Sequence, residues 1–169
     1  REGDLLHRPT IGYLLGVTSR GIEAPSVQAL APFIHAIPSL VQTAIRGFQY
    51  AVYLGFDDRD AFYDTRREWS TVVAWFDENA TQPLRRRGID VSLKGVRVKN
   101  EQKKPGPVFN ELARVAFEDG VSYFFRLNDD TELTSPWVRL HSVYPDVAIH
   151  PSPCSQSRCL IRAPSLTTL

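Results

Sequence analysis

Two short acidic clusters, Asp57-Asp58 and Asn128-Asp129-Asp130, each follow directly on an apolar run, FQYAVYLGF and VSYFFRL. Adjacent carboxylates leaving a buried strand suit a hard divalent ion such as Mn²⁺ or Mg²⁺, which takes oxygen ligands, keeps waters and is often completed by substrate phosphates. An ion held in that way neutralises charge that develops on a diphosphate leaving group. The ordinary role of an Asp pair is a turn or a helix cap, because Asp accepts bonds from nearby backbone. Polar residues also close two other apolar runs: Thr18, Ser19 and Arg20 after the first, Lys99 and Asn100 after the third. Lys103 and Lys104 precede Pro105-Gly106, and lysine is a natural partner for phosphate as well as a common surface residue.

Those clusters need elements to carry them, and the hydrophobic pattern supplies four strands and three helical segments. IGYLLGVTSRG, from Ile11 to Gly21, is a nearly continuous apolar run closing in polar residues, as in a parallel strand buried on both faces that runs into a ligand-facing loop. From Ser26, apolar residues Val27, Leu30, Ile34, Ile37, Val41 and Ala44 recur at helical steps; Pro32 and Pro38 interrupt them, which predicts two short helices or a kink. A second strand covers Phe48 to Phe56. A helix is expected over about Asp60 to Asn79 with Phe62, Trp69, Val73 and Phe76 on one face. In the third strand, Ile89, Val91 and Leu93 alternate with polar residues, then Gly95 resets the phase to Val96 and Val98, which reads as a bulge. After Pro105-Gly106-Pro107, Phe109, Leu112, Val115 and Ala116 mark a helix closed by Gly120, and Val121 to Leu127 is the fourth strand. Strands alternating with helices predict an α/β domain with a parallel sheet, and ligands bind such sheets beyond the carboxyl ends of the strands. All the polar groups above would then share one rim.

The chain of 169 residues, 43% hydrophobic and 23% charged, fits one globular domain. Its formal net charge of +1 lacks the basic field with which proteins hold duplex nucleic acid, so no nucleic-acid partner is expected. No apolar run reaches the roughly 18 residues of a membrane span, and the first residues lack a signal-peptide pattern. With no Met and an Arg at position 1, the chain reads as a fragment or processed piece. Cys154 and Cys159 permit a small disulfide loop without establishing one. His7, His35, His141 and His150 do not cluster as metal ligands do, and His35 reads as a structural or surface residue. Arg85, Arg86 and Arg87 read as a solvated charge run, with phosphate contact as the other possibility. No GxGxxG, Walker or Gly-x-Ser-x-Gly string is present.

YFFRLNDDTEL, preceded by KKPGPVFNELARVAFEDGV, resembles the nucleotide-sugar-binding half of the GT-A glycosyltransferases, over about Ile11 to Trp137. The resemblance implies a Rossmann-like, mostly parallel sheet with flanking helices over residues 1–144, followed by an irregular Pro/Ser-rich tail over 145–169. It also implies metal-dependent transfer of a sugar from a nucleotide-diphosphate donor to a hydroxyl of a glycan, protein or lipid acceptor, with Mn²⁺ or Mg²⁺ as cofactor. Asn128, Asp129 and Asp130 fall on the family's DxD positions, which makes Asp130 the metal ligand and leaves Asp129 and Asn128 to position metal waters or ribose. Asp130-Thr131-Glu132 is a second acid-x-acid reading and adds Glu132 as a metal candidate. Asp57, or its neighbour Asp58, falls where the family places an acid against the nucleoside; Thr18 to Arg20 match the loop that wraps the nucleotide, and Asn110 lies on the helix before the motif strand. Asn128 departs from the pattern, where an acid is usual, and no acceptor-binding half is recognisable. The alternative is therefore a binding or scaffolding module without catalysis; a phosphoacceptor receiver domain ranks lower, since Thr18 and Ser19 stand where it needs acids. Relatives often work in the Golgi or ER, but this chain carries no address of its own.

Overall fold

The computed structural model describes residues 8–101, 103–135 and 159–162. Strands β1 (Thr10–Gly16), β2 (Gln49–Asp57), β3 (Val91–Val98) and β4 (Tyr123–Asn128) form a parallel sheet in the order β3-β2-β1-β4. A fifth strand, β5 (Cys159–Arg162), extends this sheet by pairing antiparallel with β4, so a piece of regular backbone lies within the stretch expected to be irregular. Cys154, His7, His141, His150 and the remainder of 145–169 lie outside the described residues. The α/β architecture with a mostly parallel sheet is as expected from the alternation of elements.

Both faces of the sheet are covered, which is why β1 and β2 are buried almost throughout and read as nearly continuous apolar runs, whereas β3, at the edge, is only partly buried and alternates. Odd positions of β1 and even positions of β2, among them Ile11, Tyr13, Leu15, Val52, Leu54 and Phe56, pack beneath α1 (Ile37–Thr43), α2 (Arg66–Phe76) and α3 (Gln82–Arg86). Leu14, Ala51, Tyr53, Val96 and Phe124 face the other way, against Val108, Leu112, Val115 and Ala116 of α4 (Pro105–Glu118). A glycine row lets α4 lie close: a Cβ on Gly55 would stand 2.7 Å from Val108 Cγ1, and one on Gly16 3.2 Å from Phe109 Cζ. Gly120, at φ 73°, ends α4 in the left-handed conformation expected of a C-cap glycine.

The expected helix from Ser26 begins later. Val27 and Leu30 are buried in turns, and the chain coils only at Pro32, as a π-helical turn (Pro32–Ala36) that merges into α1. A second π-turn, Asp77–Thr81, joins α2 to α3. Each wide turn closes on the residue before a proline: Ile37 N–H donates to the Pro32 carbonyl ahead of Pro38, and Gln82 N–H to the Asp77 carbonyl ahead of Pro83. Proline has no N–H to donate and its ring crowds the carbonyl one turn back, and a wider turn accommodates both defects. The helix expected from Asp60 starts only at Arg66, and its buried face carries Val72 rather than Val73, which is 47% exposed.

Two further readings change. The Gly95 bulge is absent: β3 pairs with β2 without slippage from Tyr50↔Val91 to Asp57↔Val98. The phase reset arises because the start of β3 (Val91, Leu93) packs on the α2 side and its end (Val96, Val98) on the α4 side. Arg85 to Arg87 precede β3 at the amino-terminal edge of the parallel sheet, opposite the rim where a phosphate would bind. There the Arg87 guanidinium donates to the carbonyls of Val41 and Ala44, capping the end of α1.

Gly95 has its own task, because a Cβ there would sit 2.5 Å from Trp69 Cη2 and 2.6 Å from Cζ2. Gly95→Ala is expected to cost about 1–3 kcal/mol by overpacking, read as a lowered urea midpoint, whereas Gly106→Ala, with nothing within 4 Å of the new methyl group, is expected to lose no stability.

Candidate functional site

Running out from β1 to β2 and β3 and then back to β4 on the other side of β1, the chain creates a switch point between β1 and β4. A crevice opens at such a point because the loops after the two strands turn to opposite faces. It holds a cleft of about 390 Å³ lined by Gly16, Val17, Thr18, Arg20, Asp57, Asn100, Lys103, Lys104, Phe109, Asn128, Asp129 and Asp130, among others. A second cleft of about 700 Å³ adjoins it through the shared residues Arg20, Asp57, Asn100 and Lys103, and continues to Ile22, Asp58, Arg59, Asp60, Ala61 and Lys99. Asp57 and Asp130, from different strands, thus face one groove.

Asp57 joins three loops. Its Oδ2 accepts from Arg20 Nη2 at 2.8 Å and its Oδ1 from Asn100 Nδ2 at 2.8 Å. Asn100, 7% exposed, also donates to the Lys104 carbonyl at 2.8 Å and accepts the Lys104 N–H at 3.3 Å, tying the loop before α4 to the end of β3. Lys103 lies in the left-handed region, φ 52°, as does Arg59, φ 64°. Such geometry costs a non-glycine residue energy and concentrates at binding sites. Arg20, Lys99 and Arg97 are paired with Asp57, Glu101 and Asp64; the ammonium groups of Lys103 and Lys104 form no ion pair among the described residues.

The residue that organises the rim was read from sequence only as a helix start. Asp60 accepts from Ser19 N at 2.9 Å, Ser19 Oγ at 2.7 Å, Thr18 Oγ1 at 3.3 Å, Phe62 N at 3.1 Å and Tyr63 N at 3.0 Å. Burial disfavours its charge, yet the bonds from Ser19, Tyr63 and Phe62 outweigh that and hold the carboxyl below its usual value. The two local bonds, to the amides two and three residues on, are the Asx signature that sequence could have offered. The link to Ser19 has no local signal.

On the β4 side, Asn128 and Asp130 are exposed and Asp129 is half-buried. Burial first, then the neighbouring Asp130 carboxylate, push the Asp129 carboxyl above its usual value, so the two acids stand close enough to repel. Glu132 takes another direction: its carboxylate meets His35 Nδ1 at 2.7 Å, joining the segment after β4 to the turn before α1, and it lines neither cleft. Asn110 is exposed on α4, on the side away from the buried face, and lines neither cleft.

No group of three His, Cys, Asp or Glu side chains able to hold a metal ion occurs among the described residues. The close Asp129–Asp130 pair fits an ion that takes most of its shell from water and phosphate oxygens, as Mg²⁺ and Mn²⁺ do, and does not fit a cage built from protein alone.

What fold and site define together is an α/β domain with a polar groove at the switch point of a parallel sheet. No protein-family model matches the chain, and no curated protein matches it. Among solved structures it is similar to CMP:2-keto-3-deoxy-manno-octonic acid synthetase complexed with CTP, at 14% identity and a TM-score of 0.38, over 83% of this chain. The chain spans 48% of that protein's length. Among the described residues, no helix is long and apolar enough to cross a membrane.

Because the Asp60 carboxyl is held below its unfolded value of 3.8, its stabilising effect is full above that pH and is lost as pH falls through the folded-state value. Asp60→Ala is therefore expected to destabilise the chain by about 3 kcal/mol at neutral pH, the scale of stranding partly buried donors. The gap from the parent should narrow steadily below about pH 4; chemical denaturation at a series of pH values measures it, and a pH-independent gap would contradict the assignment.

Proposed function

We propose that this chain binds a nucleotide-diphosphate sugar along the joined clefts, with Mn²⁺ or Mg²⁺ at the Asp129–Asp130 turn, and that it serves as the donor-binding part of a glycosyltransferase. The single observation that carries this reading is that Asp57, Asp130, Lys103 and Lys104 line one groove at the switch point. A diphosphate ester is the ligand class that calls for both an acid pair to hold a cation and unpaired ammonium groups beside it.

In this reading the larger cleft takes the nucleoside. Asp57, already fixed by Arg20 and Asn100, offers its remaining lone pairs to ribose hydroxyls, while Asp58 lines the same space. Arg20, held by its bonds to Asp57 and to the Thr18 hydroxyl, lines that cleft, and Thr18, bonded to Asp60, lines the smaller one beside it. Lys103 and Lys104 face the phosphates from the α4 side. Asp130 and Asp129 hold the cation, and Asn128 contributes a neutral amide oxygen to its waters or to ribose. The ion, when bound, stabilises negative charge on the departing diphosphate. Sugar transfer to an acceptor hydroxyl requires a base that faces this groove, and none of the residues named here is assigned that role. Asn128 in place of an acid favours a second reading, a module that binds the nucleotide without catalysis.

Calorimetric titration with UDP-, GDP- and CDP-sugars, with and without Mn²⁺, tests the proposal. Asp130→Ala is expected to weaken Mn²⁺-dependent binding at least about tenfold, the loss of one charged ligand interaction, and to leave metal-free binding unchanged; equal affinity of variant and parent in Mn²⁺ would reject the metal assignment. Donor hydrolysis or transfer distinguishes the enzyme from the binding module. Lys103→Ala with Lys104→Ala is expected to lower affinity for nucleoside diphosphates about tenfold or more, with a weaker salt dependence, and to spare the nucleoside alone.

A further inference from the structure

Helices α1 and α3 end close together at the edge of the sheet opposite the groove, and each end is capped from the turn that follows the other. Arg87, just past α3, donates from both terminal nitrogens of its guanidinium to the carbonyls of Val41 and Ala44 at the end of α1. In return Arg46, just past α1, donates from Nε to the Arg87 carbonyl at 2.7 Å. Carbonyls left open at the carboxyl end of a helix draw cations, so this clasp accounts for Arg46 and Arg87. The same pull favours Arg85 and Arg86 on the last turn of α3 but supplies no acceptor. Both are exposed, and neither makes a hydrogen bond or ion pair among the described residues.

The clasp gathers cations with little to answer them. In the turns after α1 (44–48) and after α3 (87–90) the only acid is Asp90, and it forms no ion pair among the described residues. Like charges held this near repel one another, and a bound anion relieves that repulsion. Arg46 and Arg87 also line an open cleft of about 410 Å³ whose other walls, Ala44, Ile45 and Ile89, are apolar. We propose that this edge is a docking surface for an acidic segment of a partner protein, a run of Asp or Glu around one apolar side chain. The acids meet Arg85, Arg86 and the Nη groups of Arg46, and the apolar side chain enters the cleft. A guanidinium takes a carboxylate through two parallel bonds, the chemistry such a segment offers. A small lone anion suits the cleft less well, because the Arg87 guanidinium already serves two carbonyls. A nucleic-acid strand finds no aromatic ring lining the cleft on which a base could stack. A lipid surface is disfavoured too, since the exposed large apolar side chains, Ile22, Ile34, Val73 and Phe117, all lie outside these turns. The surface is separate from the groove and does not rest on the nucleotide reading.

Fluorescence anisotropy with a labelled poly-glutamate peptide carrying one central leucine is the test. The parent is expected to bind it saturably. Arg85→Gln with Arg86→Gln is expected to bind about tenfold more weakly, the effect of two exposed ion pairs, and with a shallower dependence on salt. Both side chains are exposed, so circular dichroism should show this variant as folded as the parent. Lys103→Ala with Lys104→Ala, at the opposite rim, is expected to bind the peptide as the parent does. No binding by the parent, or equal affinities of the parent and the double arginine variant, overturns the proposal. A loss confined to the lysine variant also overturns it, because the peptide would then sit in the groove. Tighter binding of the parent to a mixed-sequence single-stranded oligonucleotide, or to phosphatidylserine vesicles, than to the peptide overturns the choice of partner and the proposal with it.

Discussion

The carboxylate of Asp60 is the tie on which the rim depends. Parallel strands deliver their loops side by side but place no constraint on where those loops go next. Here one side chain gathers the amide and hydroxyl of Ser19, the hydroxyl of Thr18 and the amides of Phe62 and Tyr63, so the loops after β1 and β2 become one wall. Asp57 and Asn100 repeat the device one strand further out and bring in the loop before α4. In both cases a charged or amide side chain satisfies backbone groups that a loop would otherwise leave to water. The groove keeps its shape through these internal bonds.

On the other side of the sheet, shape follows from missing side chains. Gly16 and Gly55 allow α4 to settle on β1 and β2, and with it Lys103 and Lys104 arrive at the edge of the groove that Asp129 and Asp130 also line. The rim therefore combines cations on the loop that enters α4 with acids on the turn that leaves β4. Neither the acid pair nor the lysine pair alone implies much. Their meeting across a cleft at the switch point is what gives the site a chemical character.

Strands β1, β2 and β4 and helix α4 were legible in the sequence because burial on both faces writes nearly unbroken apolar runs and a helix on one face writes a stripe, while β3, partly exposed at the sheet edge, was legible as an alternation. The acids at the ends of β2 and β4 were legible for the same reason, as polar residues that terminate such runs. Where coverage changes along an element, the pattern misleads: β3 switches sides at Gly95, and the shift looked like a bulge. Asp60 was legible only as the start of a helix and Asn100 only as a polar residue on the rim, because the bonds that give them their roles reach partners some forty positions away. His35 is a similar case, a residue read as structural or surface whose partner, Glu132, is 97 positions on.

The π-turn between α2 and α3 has a geometric consequence for the long helical arm it interrupts. The buried residues of that arm, Val72, Phe76, Ala80 and Leu84, recur at strict intervals of four. In an ideal α-helix each such interval overshoots a full revolution by roughly 40°, so three of them would swing the last residue well off the sheet. A locally underwound coil absorbs that excess, as a leap day keeps a calendar in phase with the seasons. The same arm then stays aligned from one end to the other, and Trp69, one turn before Val72, is set down on the bare backbone of Gly95.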